Sequence, residues 1–538
     1  MNIPAVLLPR RLVIALGLIA LVIAWITMAD IAEATPWYRH AEANLPALTD
    51  ALALNTGATP ARIGEPGLLP SYLLALDWRF RHWLGMLPAW NIPTLGSSAN
   101  PVSEMRTLVR LELIHSRMLV ILLILGGGAV AWAVVPGLES AGLTVTLLCG
   151  AAGLLYHGLI VQPELLGCGL GGVLALLCLW HGTTAPSWRT HHLGLFLAGL
   201  GSGIASLAQA SGIFYLLMSY AWCWLAALTT PSARPGRPGL QIGLLPAASA
   251  ILLLWLAQQA SATGATTAVV AERLRALALL AGLLPMLTLW DGEGRRWGTF
   301  LRDRACEFAL LGGGALAALV LAYGALLAVL PAEAALVCWA GQLEQLFYPG
   351  PFMENLLTAP AGIGRDVIRF VGSSPFLYAT SAVLTLILGL QREVPVRTRA
   401  FLGLLLVSAL GSTWLLVHGR NAESASVGVQ VSLLLLCSIA LLATGPWPHL
   451  PGRHPWLFPV ILVASAVLLA TAPLRLRVIA PRIVAADNPA VSGYTLTYLF
   501  DHHAHPPAFR QMMQARFTDR AGFEQALRKY LADPAHRY

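Results

Sequence analysis

The sequence predicts an all-α polytopic membrane protein, and three observations support this class. Only 11% of the 538 residues are charged, whereas an average soluble protein carries about 25%. Hydrophobic residues make up 57% of the chain. The sequence also contains about 13 apolar runs close to the 20 or so residues that a membrane-spanning helix needs. This composition excludes a soluble multidomain enzyme and a disordered chain.

Each apolar run is interpreted as one transmembrane helix, in chain order. The runs cover roughly 12–29, 118–136, 141–161, 163–181, 192–209, 211–229, 239–257, 274–290, 307–330, 374–390, 400–418, 426–443 and 456–473. Arg10 and Arg11 precede the first run. Because cytoplasmic loops are enriched in basic residues, the N-terminus is predicted to be cytoplasmic. An odd number of spans then places the C-terminus on the outer, periplasmic face.

Polarity divides the chain into two predicted domains. Residues 1–473 form a transmembrane module with two long outer loops, 30–117 and 331–372, and residues 474–538 form a small periplasmic C-terminal domain. Lys529 is the only lysine, and the Arg-, Ala- and Leu-rich usage suggests a GC-rich bacterium and hence its inner membrane. The positive charge lies mainly in loops between helices, where it sets topology, so no nucleic-acid partner is predicted.

Two acids stand where the first span meets the first outer loop. Asp30 and Glu33 lie three positions apart. A carboxylate at the membrane boundary stays ionised, and partial desolvation moves its pKa toward the range of a general base. Ordinary solvated carboxylates at a helix end remain the alternative interpretation.

Further ionisable residues lie near the outer ends of neighbouring spans. Arg106, Arg110 and Arg117 fall near one face of a helix that leads into the second span, where they either hold a phosphate or pair with nearby acids. His157 and Glu164 flank the hinge between the third and fourth spans. Ionisable residues at a span edge are candidates for function, although Glu164 after a proline also suits an ordinary helix start.

Several short motifs occur in a characteristic order along the chain. An acid follows the first span, a Gly-x-Pro-Gly turn at 64–67 opens a helix suited to the bilayer interface, and Val109-Arg110-Leu111 leads into the second span. Pro163-Glu164 begins the fourth span, and a Gly-rich segment runs from 199 to 212. Together these features resemble the GT-C superfamily of membrane glycosyltransferases, which includes protein O-mannosyltransferases and bacterial enzymes that add aminoarabinose to lipid A.

This resemblance implies a GT-C-like bundle with helices in its outer loops and a transfer of sugar from a polyprenyl-phosphate carrier. The acceptor is a hydroxyl of a glycan, lipid or protein, and the transfer inverts the sugar by single displacement. Asp30, or secondly Glu33, is the implied base. The implied substrate-binding residues are Arg110, His157, Glu164, Arg365, Arg369 and Arg420. Many family members carry two adjacent acids after the first span, whereas Asp30 and Glu33 lie three positions apart. Many also carry a lysine at the position that Gln209 takes in this chain.

The sequence requires no cofactor. Some members of the superfamily use a divalent cation near the catalytic acid, but this chain has no dedicated set of ligands for one. The Asp501-His502-His503-Ala504-His505 segment of the tail has a spacing that suits no familiar zinc site. The alternatives to a transferase are a transporter or flippase of a lipid-linked glycan, a glycan polymerase or ligase, and a catalytically inactive GT-C-like scaffold.

Overall fold

The structure, a computed structural model, consists of helices and their connections, with no strand among the residues that it describes. These residues are 7–39, 41–61, 68–160, 165–184, 187–208, 212–229, 240–263, 270–276, 296–347, 394–416, 427–444, 463, 466–474, 476, 491, 493–503 and 505–537.

The described residues form eighteen α-helices, numbered here in chain order. The first ten are α1 Leu7–Ala34, α2 Ala41–Thr56, α3 Leu68–Trp83, α4 Ile92–Ser97, α5 Pro101–Val134, α6 Leu138–Cys149, α7 Ala152–Tyr156, α8 Gly172–Thr184, α9 Trp188–Ala208 and α10 Ile213–Thr229. A π-helical turn, Leu165–Gly171, precedes α8. The remaining helices are α11 Leu240–Ala262, α12 Arg296–Leu327, α13 Ala332–Phe347, α14 Val396–Leu416, α15 Val427–Thr444, α16 Gly493–Phe500, α17 Pro507–Phe517 and α18 Arg520–Leu531.

Five helical segments of the described part of the chain are long and apolar enough to cross a membrane. They are Arg11–Ala34, Pro101–Val134, Leu165–Thr184, Arg189–Ala208 and Asp303–Leu327. The chain is therefore a helical membrane protein, as its composition predicts. The expected total of about 13 spans is not confirmed. Run 374–390, most of run 274–290 and half of run 456–473 lie outside the described residues.

The third apolar run, 141–161, does not form the continuous span that the sequence predicts. Helix α6 ends at Cys149, Gly150 caps it, and the short α7 starts only at Ala152. A Cβ atom on Gly150 would lie 3.2 Å from the Cβ of Leu468, which packs against the break. Glycine is a poor helix former and admits this close approach. Hydropathy detects a sufficient apolar length but not such an interruption.

Glycines of α9 bring helices together at very short range. A Cβ atom on Gly201 would lie 2.9 Å from the backbone nitrogen of Ala175, and one on Gly203 would lie 2.7 Å from the Cβ of Ala318. On the facing helix α12, a Cβ atom on Gly314 would collide with the backbone oxygen of Phe196. Small residues at such contacts let membrane helices pack backbone to backbone. The Gly-rich segment predicted from the sequence therefore serves helix packing.

Gly314→Ala is expected to destabilise the bundle by about 1–3 kcal/mol, because the added methyl group overpacks the contact between α9 and α12. Gly324→Ala, on the same helix, is the matched control. Gly324 is exposed, and a Cβ atom there would meet nothing within 4 Å. The control is expected to be neutral or slightly stabilising, because alanine is the better helix former. Thermal unfolding midpoints in lipid nanodiscs measure the difference, and equal midpoints would contradict it.

The segment 30–117 and the C-terminal tail share one hydrophobic core. Leu48 of α2, Trp78 of α3, and Phe509 and Phe523 of the tail are fully buried within it. Arg106 Nη2 donates to the backbone oxygen of Ala535 at 2.8 Å across the same contact. The sequence also predicts a helix from Arg520 to Leu531 at the end of the tail, and α18 confirms it. The boundary at residue 474 stays a prediction, since residues 475 and 477–490 lie outside the described residues.

A buried polar cluster joins other helix ends. His191 Nδ1 lies 2.8 Å from the oxygen of Gly182, and His191 Nε2 lies 3.1 Å from Glu307 Oε1. Arg304 bonds the other oxygen of Glu307 and donates to the oxygen of Cys223 at 2.7 Å. Buried charges need such partners. The cluster therefore ties α8, α9, α10 and the first turns of α12 together.

Candidate active site at the end of the first span

The two predicted catalytic acids occupy the last turns of α1, and both are exposed. Thr35 ends the helix by donating from its Oγ1 to the backbone oxygen of Ile31 at 2.6 Å, and Pro36 follows. Asp30 has no hydrogen bond or ion pair with any residue that the structure describes. Its carboxylate is therefore accessible at the helix end.

Negative charge at the C-terminal end of a helix is electrostatically unfavourable, because the helix dipole is negative there. Helix α5 supplies the compensating cations. Arg110 Nη1 donates to the backbone oxygen of Ala32 at 2.9 Å, which satisfies one of the carbonyls left free at the end of α1. Glu33 acts electrostatically on Arg110 and on Arg117, two turns further along α5. Glu33 is thus the acid whose charge acts on this arginine row. The pairing with Glu104 and Glu112, which the sequence predicts as the alternative to a phosphate site, stays a prediction.

Arg117 is buried between three segments. Its guanidinium lies 5.4 Å from the centre of the Trp25 ring, a cation–π contact, and its Nε donates to the oxygen of Leu113 at 3.2 Å. Its Cγ lies 3.5 Å from the position that a Cβ atom on Gly158 would take. The turn that carries His157 is therefore packed against α5, and His157 itself is 1% exposed.

A narrow cleft opens beside these groups and contains about 260 Å³, part of it open to solvent. Its lining residues are Ala32, Thr35, Pro36, Trp37, Asn44, Leu113 and Leu159. Trp37 is 2% exposed, and its Nε1 has no acceptor among the residues that the structure describes. A buried indole N–H without an acceptor carries a desolvation cost of about 1–3 kcal/mol. A ligand or water oxygen would remove that cost.

The structure brings together only part of the predicted site. Asp30, Glu33, Arg110 and His157 lie on the adjoining segments described above. The other predicted residues, Glu164, Arg365, Arg369 and Arg420, lie outside the described residues. Trp37 and Asn44 were not predicted. One feature of the sequence could have indicated them, because both follow Asp30 and Glu33 closely along the chain. A loop that turns back at Pro36 places such residues beside the end of α1.

The histidines of the tail serve packing. His505 is fully buried, its Nδ1 lies 3.1 Å from Thr49 Oγ1, and its Nε2 contacts the oxygen of Tyr498. The His502 ring stacks on Tyr498 at 3.8 Å. Partial burial and the neighbouring His503 lower the pKa of His502. Within the described residues, no three His, Cys, Asp or Glu side chains are grouped to hold a metal ion.

No protein-family model and no curated protein matches the sequence. Among solved structures, the chain is similar to the archaeal oligosaccharyltransferase AglB from Archaeoglobus fulgidus in complex with an inhibitory peptide and a dolichol-phosphate. The TM-score is 0.48 and the identity 12%, over 92% of this chain and 59% of that one. An apo structure of the Archaeoglobus fulgidus oligosaccharyltransferase gives a TM-score of 0.45 and 15% identity, over 90% and 58%.

This chain thus spans less than two thirds of the length of these structural neighbours. The peptide and the dolichol-phosphate belong to the archaeal enzyme. With TM-scores below 0.5, the likeness assigns no activity to this chain. A functional proposal therefore rests on the residues of this chain.

Proposed function

We propose that the protein is a glycosyltransferase that moves a sugar from a polyprenyl-phosphate carrier to an acceptor hydroxyl at the outer face of the membrane. In a bacterial inner membrane this face is the periplasmic one. The supporting observation is the arrangement at the end of α1, where accessible Asp30 lies one turn before Glu33, whose charge acts on Arg110 and Arg117 of α5. Transfer from a phosphate carrier needs a base and a cationic site within one pocket.

Asp30 is assigned as the base. Its carboxylate accepts the proton of the acceptor hydroxyl as the acceptor oxygen bonds to the anomeric carbon of the sugar. The bond between that carbon and the carrier phosphate oxygen breaks at the same time, and polyprenyl phosphate leaves with the electron pair. Attack from the face opposite the phosphate inverts the anomeric centre. Glu33 is the second choice as base, because its charge already acts on Arg110 and Arg117.

Arg110 is assigned to the leaving phosphate. Negative charge builds on that group in the transition state, and the planar guanidinium can donate two parallel hydrogen bonds to it. Arg365, Arg369 and Arg420 are proposed as further phosphate ligands, and Glu164 as a substrate-binding residue. The nearly complete burial of His157 makes its role one of shaping the turn beside Arg117. The donor sugar, pentose or hexose, is left to experiment.

The test uses the purified chain in lipid nanodiscs with a panel of radiolabelled polyprenyl-phosphate sugars and a crude envelope extract as acceptor. Release of carrier phosphate that requires the extract is the expected result, and the productive donor names the sugar. Omitting and adding Mg²⁺ determines whether a divalent cation takes part. Tight carrier binding without release from any donor would contradict the proposal and favour a transporter, a flippase or an inactive scaffold.

A further inference from the structure

The cleft beside the end of α1 is lined by two polar groups with complementary hydrogen-bonding capacities. Trp37 Nε1 can only donate, and it meets no acceptor among the residues that the structure describes. Thr35 Oγ1 donates its single proton to the backbone oxygen of Ile31 at 2.6 Å, so its lone pairs can only accept. Within the described part of the chain, no group donates to them. The cleft therefore offers one N–H donor and one oxygen acceptor.

Both groups are held in place by the turn that follows α1. The backbone N–H of Arg39 donates to the oxygen of Pro36 at 2.9 Å, which closes the turn that carries Trp37. The Trp37 ring packs edge to face against Tyr38, with 5.7 Å between the ring centres. Trp37 is 2% exposed and Thr35 is 9% exposed. Because both residues are so deeply buried, a hydrogen-bonding partner for them has to enter the cleft itself.

These two groups select the chemistry of a ligand. A hydroxyl accepts one hydrogen bond while it donates another, so it satisfies the indole N–H and the threonine oxygen together. A phosphate or carboxylate oxygen has no proton to offer to Thr35 and carries a charge that needs a cation. None of the seven residues that line the cleft is charged. The ligand group that fits is therefore a neutral hydroxyl, and the apolar walls suit the C–H groups beside it.

The cleft adjoins the proposed reaction site. Ala32 lines the cleft, and its backbone oxygen accepts the hydrogen bond from Arg110 Nη1 at 2.9 Å. Asp30, the proposed base, lies two residues earlier on the same helix. A hydroxyl that donates to Thr35 cannot at the same time give its proton to Asp30. The molecule that fits the cleft and also reacts therefore carries at least two hydroxyls, of which one is held and another attacks.

We infer that the cleft is the subsite for a non-reacting hydroxyl of a carbohydrate acceptor, held between Trp37 Nε1 and Thr35 Oγ1. The inference rests on the proposed transferase and names the class of its acceptor, a neutral sugar in place of a serine side chain or a lipid with a single hydroxyl. Hydroxyls on one sugar ring have fixed relative positions. Holding one of them therefore orients its neighbour, and orientation of this kind contributes directly to rate.

Binding without turnover tests the subsite. Indole ¹⁵N–¹H spectra of the full chain are recorded with methyl glycosides of glucose, mannose, galactose and arabinose, and Trp37→Phe assigns the Trp37 signal. At least one glycoside is expected to shift the Trp37 indole proton downfield, whereas inorganic phosphate and N-acetylserinamide, which has one hydroxyl, leave it in place. Trp78 is the internal reference, because its Nε1 is also buried without an acceptor among the described residues.

Kinetics of the same variants test the role of the subsite in transfer. Trp37→Phe keeps an aromatic ring and removes the N–H, so the KM for a sugar acceptor is expected to rise about 2–10-fold, the loss of one neutral hydrogen bond. Affinity for polyprenyl phosphate is expected to stay at the wild-type value. Trp78→Phe, which removes a buried indole N–H of α3, is the matched control with unchanged KM. Thr35→Val is a second variant in case Trp37→Phe does not fold.

The outcomes separate this inference from the proposed function. A Trp37 shift produced equally by phosphate or by N-acetylserinamide would overturn the assignment to a carbohydrate. The absence of a shift with every glycoside would overturn the subsite, and turnover by the same preparation would leave the transferase standing. A shift with a glycoside in a preparation that releases no carrier phosphate would support the carbohydrate subsite and contradict the transferase.

Discussion

Asp30→Asn is expected to lower the turnover of sugar transfer by about 10²–10⁴-fold, the usual contribution of a general base. Asparagine keeps the size and the hydrogen-bonding capacity of the side chain but cannot accept a proton at neutral pH. Asp30 is exposed and has no partner among the described residues, so its loss leaves the packing of α1 intact. Affinity for polyprenyl phosphate and the thermal unfolding midpoint are therefore expected to stay at wild-type values.

Glu33→Gln is the matched control, since it removes a charge from the same turn of the same helix. Its carboxylate acts on Arg110 and Arg117, so its main expected effect is on donor binding, with a smaller loss of turnover than for Asp30→Asn. Single-turnover rates at saturating donor separate the two effects. The reverse order, with Glu33→Gln inactive and Asp30→Asn active, would assign the base to Glu33. Unchanged turnover in both variants would reject a carboxylate base on this helix.

Features that depend on local composition could be predicted from the sequence. The apolar runs identified α1, α9 and α12 as spans, and the polar end of the tail was expected to form the helix that the structure shows as α18. The meeting of α1 and α5 was expected only through the acids and arginines on them. Each of these signals lies within about 30 consecutive residues, the length over which helix periodicity and hydropathy are informative.

Features that depend on contacts between distant segments could not be predicted in this way. Leu48 of α2 is buried in the same core as Phe523 of the tail, and Thr49 of α2 contacts His505, although the two segments lie at opposite ends of the chain. The break at Gly150 similarly depends on the close approach of Leu468. Hydropathy reports whether a residue prefers burial, but it does not report which distant residue will bury it. For the same reason, the sequence does not predict that Trp37 lines the cleft.

Arg110→Gln is expected to weaken the binding of polyprenyl phosphate by about 10–100-fold, because a hydrogen bond to a charged group is worth about 1.5–3 kcal/mol. Equilibrium binding of a fluorescent polyprenyl phosphate in nanodiscs measures the change. Arg106→Gln is the control one helical turn earlier. Arg106 Nη2 donates to the backbone oxygen of Ala535 in the tail, so its replacement is expected to leave the affinity close to that of the wild type.

Arg110 also bonds the oxygen of Ala32, so a loss of affinity has a competing structural explanation. Arg110→Lys separates the two roles. Lysine keeps the charge and can cap the same carbonyl, but it lacks the planar fork that binds two phosphate oxygens. If Arg110 holds the phosphate, the lysine variant regains the unfolding midpoint of the wild type while its affinity stays reduced. If Arg110 only caps α1, lysine restores both quantities together. A stable Arg110→Gln variant with wild-type affinity would remove Arg110 from the phosphate site and leave the leaving group to other cations.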